Sequence, residues 1–250
     1  MIELRLWLAR NYGPLLAMAV FVLMFSLYFF NFATDDPSAV ILSAANTGVL
    51  LALVAMAQTL PVLTRGLDLS VGMIFVMANC IASAVVIAPP IADGALMHHL
   101  TLAGGVGLVL LSGCIAGLIN GAIVVYGRLQ PIIATLATGA IYYGIALAIR
   151  PIPGGGVDGD LADFMTGELM PFVPTTLVML VLIVLLIWLP FRRSEIGRGC
   201  YAAGSAEGAA YMSGVKIGRS KLAAYTLCGL LAAIAGLMQT FNTYTGEASS

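Results

Sequence analysis

Apolar residues recur in runs long enough to cross a lipid bilayer, and that repetition decides the fold class before any motif is considered. A spanning helix needs about 20 predominantly apolar residues, and runs of that kind fall near 14–33, 39–63, 69–88, 100–125, 131–149, 172–190 and 221–241. Backbone polar groups in hydrocarbon must be paired within the segment, so such runs become helices. The expectation is an all-α polytopic membrane bundle of about seven transmembrane helices, built as one domain over residues 1–250. Charged residues make up 9% of the chain, far below the roughly 25% of soluble domains. Arg5 and Arg10 precede the first run as they would in a signal peptide. That run is longer than a typical h-region of ~7–15 residues and no A-x-A site follows, so it reads as an uncleaved anchor.

A net charge of −1 conceals a strong sidedness. Starting with Arg5 and Arg10 inside and alternating, ten of the eleven basic residues fall inside and Arg150 alone falls outside. Eight of the twelve acids fall outside, among them Asp35, Asp36, Asp93 and the four in the 150–171 connection. Lys and Arg resist translocation. The N-terminus is therefore expected in the cytoplasm and Ser250 on the outer side.

The longest hydrophilic interruption is 191–220, FRRSEIGRGCYAAGSAEGAAYMSGVKIGRS, whose five cations against Glu195 and Glu207 leave +3. It belongs inside by the same rule. Within it Ser205 is expected to cap a short helix from Ala206 to Ser213, with Gly214 as a left-handed stop. So short a helix does not stand alone in water and needs a partner surface.

Two motifs carry a resemblance. GRGCYAAGSAEGAAYMSGV is similar to the cytoplasmic coupling loop of ABC importer permeases of the ribose and branched-chain amino-acid type, and GLDLSVG at 66–72 resembles the hallmark of the sugar branch. The similarity runs over nearly all 250 residues. It implies that Ala209, Ala210, Ser213 and Gly214 belong to a helix docking on an ATPase subunit, with Gly204 and Ser205 in the same loop and Arg198 and Glu207 as polar contacts. The family often has Asn where this chain has Ala206. The resemblance also implies an acidic outer edge, 150–171, that meets a periplasmic sugar-binding protein, a second permease subunit, a bacterial inner-membrane location, and about three further spans beyond Ser250. The chain is thus expected to be a truncated permease.

The sugar-branch motif, Gly66, Asp68, Leu69, Ser70 and Gly72, has a purely structural reading beside the resemblance. Gly66 allows a tight reversal, and Asp68 accepts the amide of Val71 as an N-cap, with Ser70 as the alternative. Asn46, Gln58, Asn79 and Asn120 are the uncharged amides of the spans, and each either lines a polar pathway or bonds a neighbouring helix. Gly113, Gly117 and Gly121 form a four-residue stripe for close helix packing. Thr135, Thr138, Tyr142 and Tyr143 supply hydroxyls to the fifth span; hydroxyls can bond back to helix carbonyls, and tyrosines suit the outer interface.

Chemistry of other kinds finds no residues to carry it. The adjacent His98 and His99 diverge on a helix and have no third ligand at motif spacing. The DGD..D run at 158–163 lacks the glutamate that closes a calcium loop. Cys80, Cys114, Cys200 and Cys228 have no paired spacing. Gly154–Gly156 is not followed by Lys-Ser/Thr, so no nucleotide loop is present. No cofactor is expected on this chain: ATP would be bound by a partner. No basic patch suits nucleic acid. The expected function is a non-enzymatic permease subunit for a monosaccharide or polyol, with branched-chain amino acids or nucleosides as alternative cargo. A secondary transporter, which would need an intramembrane ionisable group, is the further alternative.

Overall fold

The structure is a computed structural model that describes residues 2–32, 37–88 and 94–248, with side chains from residue 11 onward apart from Pro14 and Phe32. Asp35, Asp36 and Asp93, placed outside by the charge count, lie outside the described residues. Helices α1 (Ile2–Phe32), α2 (Pro37–Val62), α3 (Val71–Val85), α4 (Ala95–Val125) and α5 (Pro131–Ile149) follow one another. A folded connection comes next, with α6 (Gly159–Thr166) and the antiparallel pair β1 (Glu168–Met170) and β2 (Val173–Pro174). The sixth span is one rod made of α7 (Thr175–Ile183), a π turn (Val184–Trp188) and α8 (Leu189–Arg193). Helix α9 (Glu195–Met212) leads into α10 (Ile217–Thr243). Among the described residues six rods are long and apolar enough to cross a membrane, and α3 is a shorter seventh.

Helix α10 is the core of the bundle, with Tyr225, Cys228, Leu231, Ala232, Ala233 and Ala235 wholly buried. It packs chiefly on α4, α3 and α2. The contact with α4 is a seam of small residues. A Cβ at Gly113 would collide with Ala233 and the Gly229 carbonyl, one at Gly117 with the Tyr225 carbonyl, and one at Gly229 with the Gly113 carbonyl. In lipid, association rests on such close packing rather than on a hydrophobic drive between helices. Helix α1 stands apart, with most of its described apolar residues between Tyr12 and Phe30 exposed and only a thin contact to α2.

Helix α3 has 15 residues, about 22 Å at 1.5 Å per residue, and falls short of a ~30 Å hydrocarbon core. The preceding segment, Leu63–Ser70, runs non-helically within the bundle. Irregular backbone at that depth is tolerated only where protein covers it. At the other end of the bundle the 150–171 connection forms a small cap. Gly154 pairs with Gly246, Asp158 caps α6 by accepting from Leu161 N at 3.0 Å, and His98 Nε2 lies 3.8 Å from the Asp158 carboxylate.

Candidate functional site: a buried carboxylate and the loop that touches its turn

The reversal after α2 is made by Arg65 in the left-handed region (φ 58) rather than by Gly66. Gly66 is needed for space, because a Cβ there would strike the Tyr225 hydroxyl. Two residues on, Asp68 is 2% exposed. It does not cap α3 through Val71, as the sequence led us to expect. It closes an Asx turn instead, its Oδ1 accepting from Ser70 N at 2.9 Å and Ser70 Oγ at 2.6 Å. Ser70 stands at the start of α3 but makes no side-chain cap bond.

Asn120 on α4 completes the arrangement. Its Nδ2 donates to Asp68 Oδ2 at 3.2 Å and to Ser70 Oγ at 2.7 Å. Its Oδ1 accepts from Thr138 Oγ1 at 2.7 Å and from Tyr142 OH at 3.1 Å, both on α5. Leu69 N donates to Thr135 Oγ1 at 2.9 Å, and Cys228 Sγ of α10 lies 3.9 Å from Asp68 Oδ2. The start of α3, together with α4, α5 and α10, thus converges on one carboxylate. Tyr142 is buried in this network rather than sitting at an interface. Asn120 and Thr138 lie one to two turns inside their helix ends, so the site is roughly 8–10 Å deep along the bundle. The motif's other members, Leu69 just before α3 and Gly72 in its first turn, are exposed.

The remaining span amides divide unevenly. Asn46 donates to the Thr166 carbonyl at 2.9 Å and accepts from Thr176 Oγ1 at 2.9 Å, tying α2 to the outer cap. Asn79 donates to Thr240 Oγ1 at 2.9 Å and accepts from Glu247 N at 2.8 Å, tying α3 to the end of α10. Three of the four amides are therefore committed to bonds between elements. Gln58 is half-buried and makes no side-chain hydrogen bond among the described residues.

The 191–220 segment is mostly helix. Ser194 Oγ accepts from Gly197 N at 3.0 Å and caps α9. Ser205, the expected cap, instead donates back to the Ala202 carbonyl at 3.0 Å. A single residue, Ala206 (φ −154, ψ 91), breaks the helix into two segments. Gly214 at φ +79 ends the second segment as a left-handed residue. Ala210 was expected on the docking face, but it is buried against Ala203 and Ile217 and cannot reach a partner. Ala209, Ser213, Gly214, Arg198 and Glu207 are exposed, with Glu207 accepting from Lys221 Nζ at 2.7 Å. Sequence reasoning passed over Tyr211 and Met212, which are 73% and 86% exposed beside them. The first segment is fixed to α10: Cys200 Sγ donates to the Ser220 carbonyl at 3.3 Å, and burial pushes its thiol up to about 11.

At the break, α9 touches the turn that holds Asp68. Arg65 Nη2 donates to the Ser205 carbonyl at 2.7 Å. Gly204 lies so close to the Leu63 carbonyl that a Cβ would overlap it. No group of three or more potential metal ligands occurs among the described residues.

Residues 40–250 match the family described as the branched-chain amino acid transport system / permease component. The ribose import permease protein RbsC of Bacillus subtilis (strain 168) is 30% identical over 241 residues, 95% of this chain and 70% of that protein. Its namesake from Escherichia coli (strain K12) is 30% identical over 237 residues, 93% of this chain and 70% of that protein. The D-allose transport system permease protein AlsC of the same strain is 29% identical over 241 residues, 95% of this chain and 69% of that protein. No solved structure matches. With six spanning rods, a seventh short helix and a family match over most of its length, the chain is a multi-pass bacterial inner-membrane protein and belongs to the ABC importer permease family of the ribose and branched-chain amino-acid type.

Proposed function

We infer that this chain is the membrane permease subunit of an importer for a monosaccharide or polyol, driven by ATP hydrolysis on a separate subunit. The observation that carries the reading is the end of α9. Tyr211 and Met212 project from the end of the bundle where the basic connections gather, and Met212 is the most exposed large apolar residue among those described. We assign this adjacent exposed pair to a protein contact. Behind it, Arg65–Ser205 and Gly204–Leu63 join the loop to the turn carrying Asp68. A push on α9 would thus reach the start of α3 by a short rigid route.

Neutral cargo is favoured because Asp68 already accepts from Ser70 and Asn120 and offers no free charge to a solute. The relatives named for ribose and allose support sugars over amino acids. The test is co-purification with the cognate ATPase, followed by uptake in proteoliposomes supplied with the sugar-binding protein. Met212→Glu should abolish ATPase recruitment and sugar uptake together, while the chain still inserts. Uptake that persists without ATP and collapses with a proton ionophore would instead establish a secondary transporter working through Asp68.

A further inference from the structure

A cavity of about 760 Å³ opens between the α2–α3 turn, the α4–α5 turn, the second segment of α9 and the first turns of α10. Arg65, Arg128 and Lys221 contribute three cations to its wall, against the single carboxylate of Glu207. Glu207 is held by Lys221 at 2.7 Å, and Arg65 uses one Nη2 bond on the Ser205 carbonyl. Arg65 keeps other donors of its fork free. Arg128 makes no hydrogen bond or ion pair among the described residues and is carried on a left-handed turn residue (φ 54).

At the inner wall stands Tyr225. It is wholly buried, and its hydroxyl is the one buried side-chain polar atom without a partner among the described residues. Buried polar groups are nearly always paired, and an exception asks for a ligand or water. Asp68 does not fill that need. It lies one turn further along α10, beside Cys228, with its oxygens taken by Ser70 and Asn120.

We propose that this cavity is an anion site and that its occupant is the phosphate of an anionic phospholipid headgroup. Arg forks and Lys are the groups that recognise phosphate oxygens. The same wall contains Val125, the last residue of α4, and Leu129 of the α4–α5 turn. A lipid presents phosphate and hydrocarbon together, whereas a free phosphate makes no use of apolar wall. The volume lies in the ~300–1,000 Å³ range of small-molecule sites, well beyond one bare phosphate. Anionic lipid lies at the cytoplasmic surface, where basic residues gather. An occupied cavity would brace the α4–α5 turn against α9 beside the Arg65–Ser205 joint. The proposal depends on the membrane placement of the chain and not on its cargo.

The test uses the full chain, purified in neutral detergent and returned to lipid of defined composition. Phosphatidylglycerol, phosphatidylcholine and inorganic phosphate are compared by thermal unfolding and by mass spectrometry of retained lipid. Phosphatidylglycerol should raise the midpoint and remain bound, with at least a tenfold loss of affinity in Arg128→Gln. Tyr225→Phe should be as stable as wild type or more so in phosphatidylcholine, since it removes an unpaired hydroxyl, yet gain less from phosphatidylglycerol. Equal gains from both lipids, or an unchanged gain in Arg128→Gln, would overturn the site. A full response to millimolar inorganic phosphate would keep the anion chemistry and overturn the lipid. Displacement of phosphatidylglycerol by the ATPase subunit would overturn the lipid as the occupant. Loss of sugar uptake with these lipid responses intact would count against the transport reading alone.

Discussion

Asp68 shows why a single residue can be read correctly in type and wrongly in place. Between Pro61 and the run beginning at Val71, a Gly-Leu-Asp-Leu-Ser segment has the chemistry of a helix cap at a membrane edge. Its depth depends on α3 being about 22 Å long, and on partners 52 and 160 residues away in Asn120 and Cys228. No local pattern encodes either. Asn120 is the residue on which the cluster depends, since it pairs with Asp68, Ser70, Thr138 and Tyr142 at once. Asn120→Leu keeps the volume and removes every one of those bonds. Asp68 and Ser70 keep each other, Thr138 keeps the Thr135 carbonyl and Tyr142 the Ala116 carbonyl, so each lost bond costs about 0.5–1.5 kcal/mol, more at the carboxylate. We expect the purified variant to unfold at clearly lower temperature than wild type, at about 2–4 °C per kcal/mol lost. Asn46→Leu, which frees only Thr166 and Thr176, should fall less. Equal midpoints for wild type and Asn120→Leu would mean that the cluster does not hold the bundle together.

Among the elements, α9 was legible as an interruption but not in its internal shape. The +3 charge and the hydrophilic composition placed a loop, and Gly214 marked the end of its helix. Ser194, followed directly by Glu195, carried the true capping signal. The expectation rested on the later Ser205 alone, whose hydroxyl turns back on its own helix. The break at Ala206 has no sequence signature, because alanine is the best helix former. It is set by the contact that α9 makes with the α2–α3 turn. Gly204 permits that contact, and adding a side chain there cannot be absorbed, since the neighbouring atom is the Leu63 backbone carbonyl. Gly204→Val should therefore pull α9 off the turn, break the Arg65–Ser205 bond and uncouple ATP hydrolysis from uptake. Gly208, four residues on, has open space around its Cβ direction, and Gly208→Ala should leave both activities intact. Coupled uptake measured in the Gly204→Val chain would remove this joint from the mechanism.

The whole molecule was the most legible level, because the spans follow from composition. The seven runs became six rods and the short α3, with shifted edges: α10 begins at Ile217, so Arg219 and Lys221 ride on its first turns. The central place of α10 was not legible. Its stripe of Ala and Gly meets the glycines of α4 only once the two helices are side by side. The alternation of charges makes a claim that the structure supports by half. Residues from the 63–66, 126–131 and 207–218 connections line one cavity, so those connections share one end of the bundle. The 150–171 cap bonds to the far end of α3 and to the residues after α10. Which end faces the cytoplasm rests on the expectation that Lys and Arg stay inside; Arg65, Arg128 and Lys216 lie in these connections, and the alternating count puts ten of the eleven basic residues on their side. Gly208 and Gly156 are open positions at opposite ends, with no atom near a built Cβ, and serve as single-cysteine reporters. In intact cells whose outer membrane has been opened, a membrane-impermeant maleimide should label Gly156→Cys and leave Gly208→Cys untouched, with the unsubstituted chain as blank. Inverted vesicles should give the reverse. If Gly208→Cys were labelled in cells, α9 would face away from ATP and the coupling role would fall with the topology.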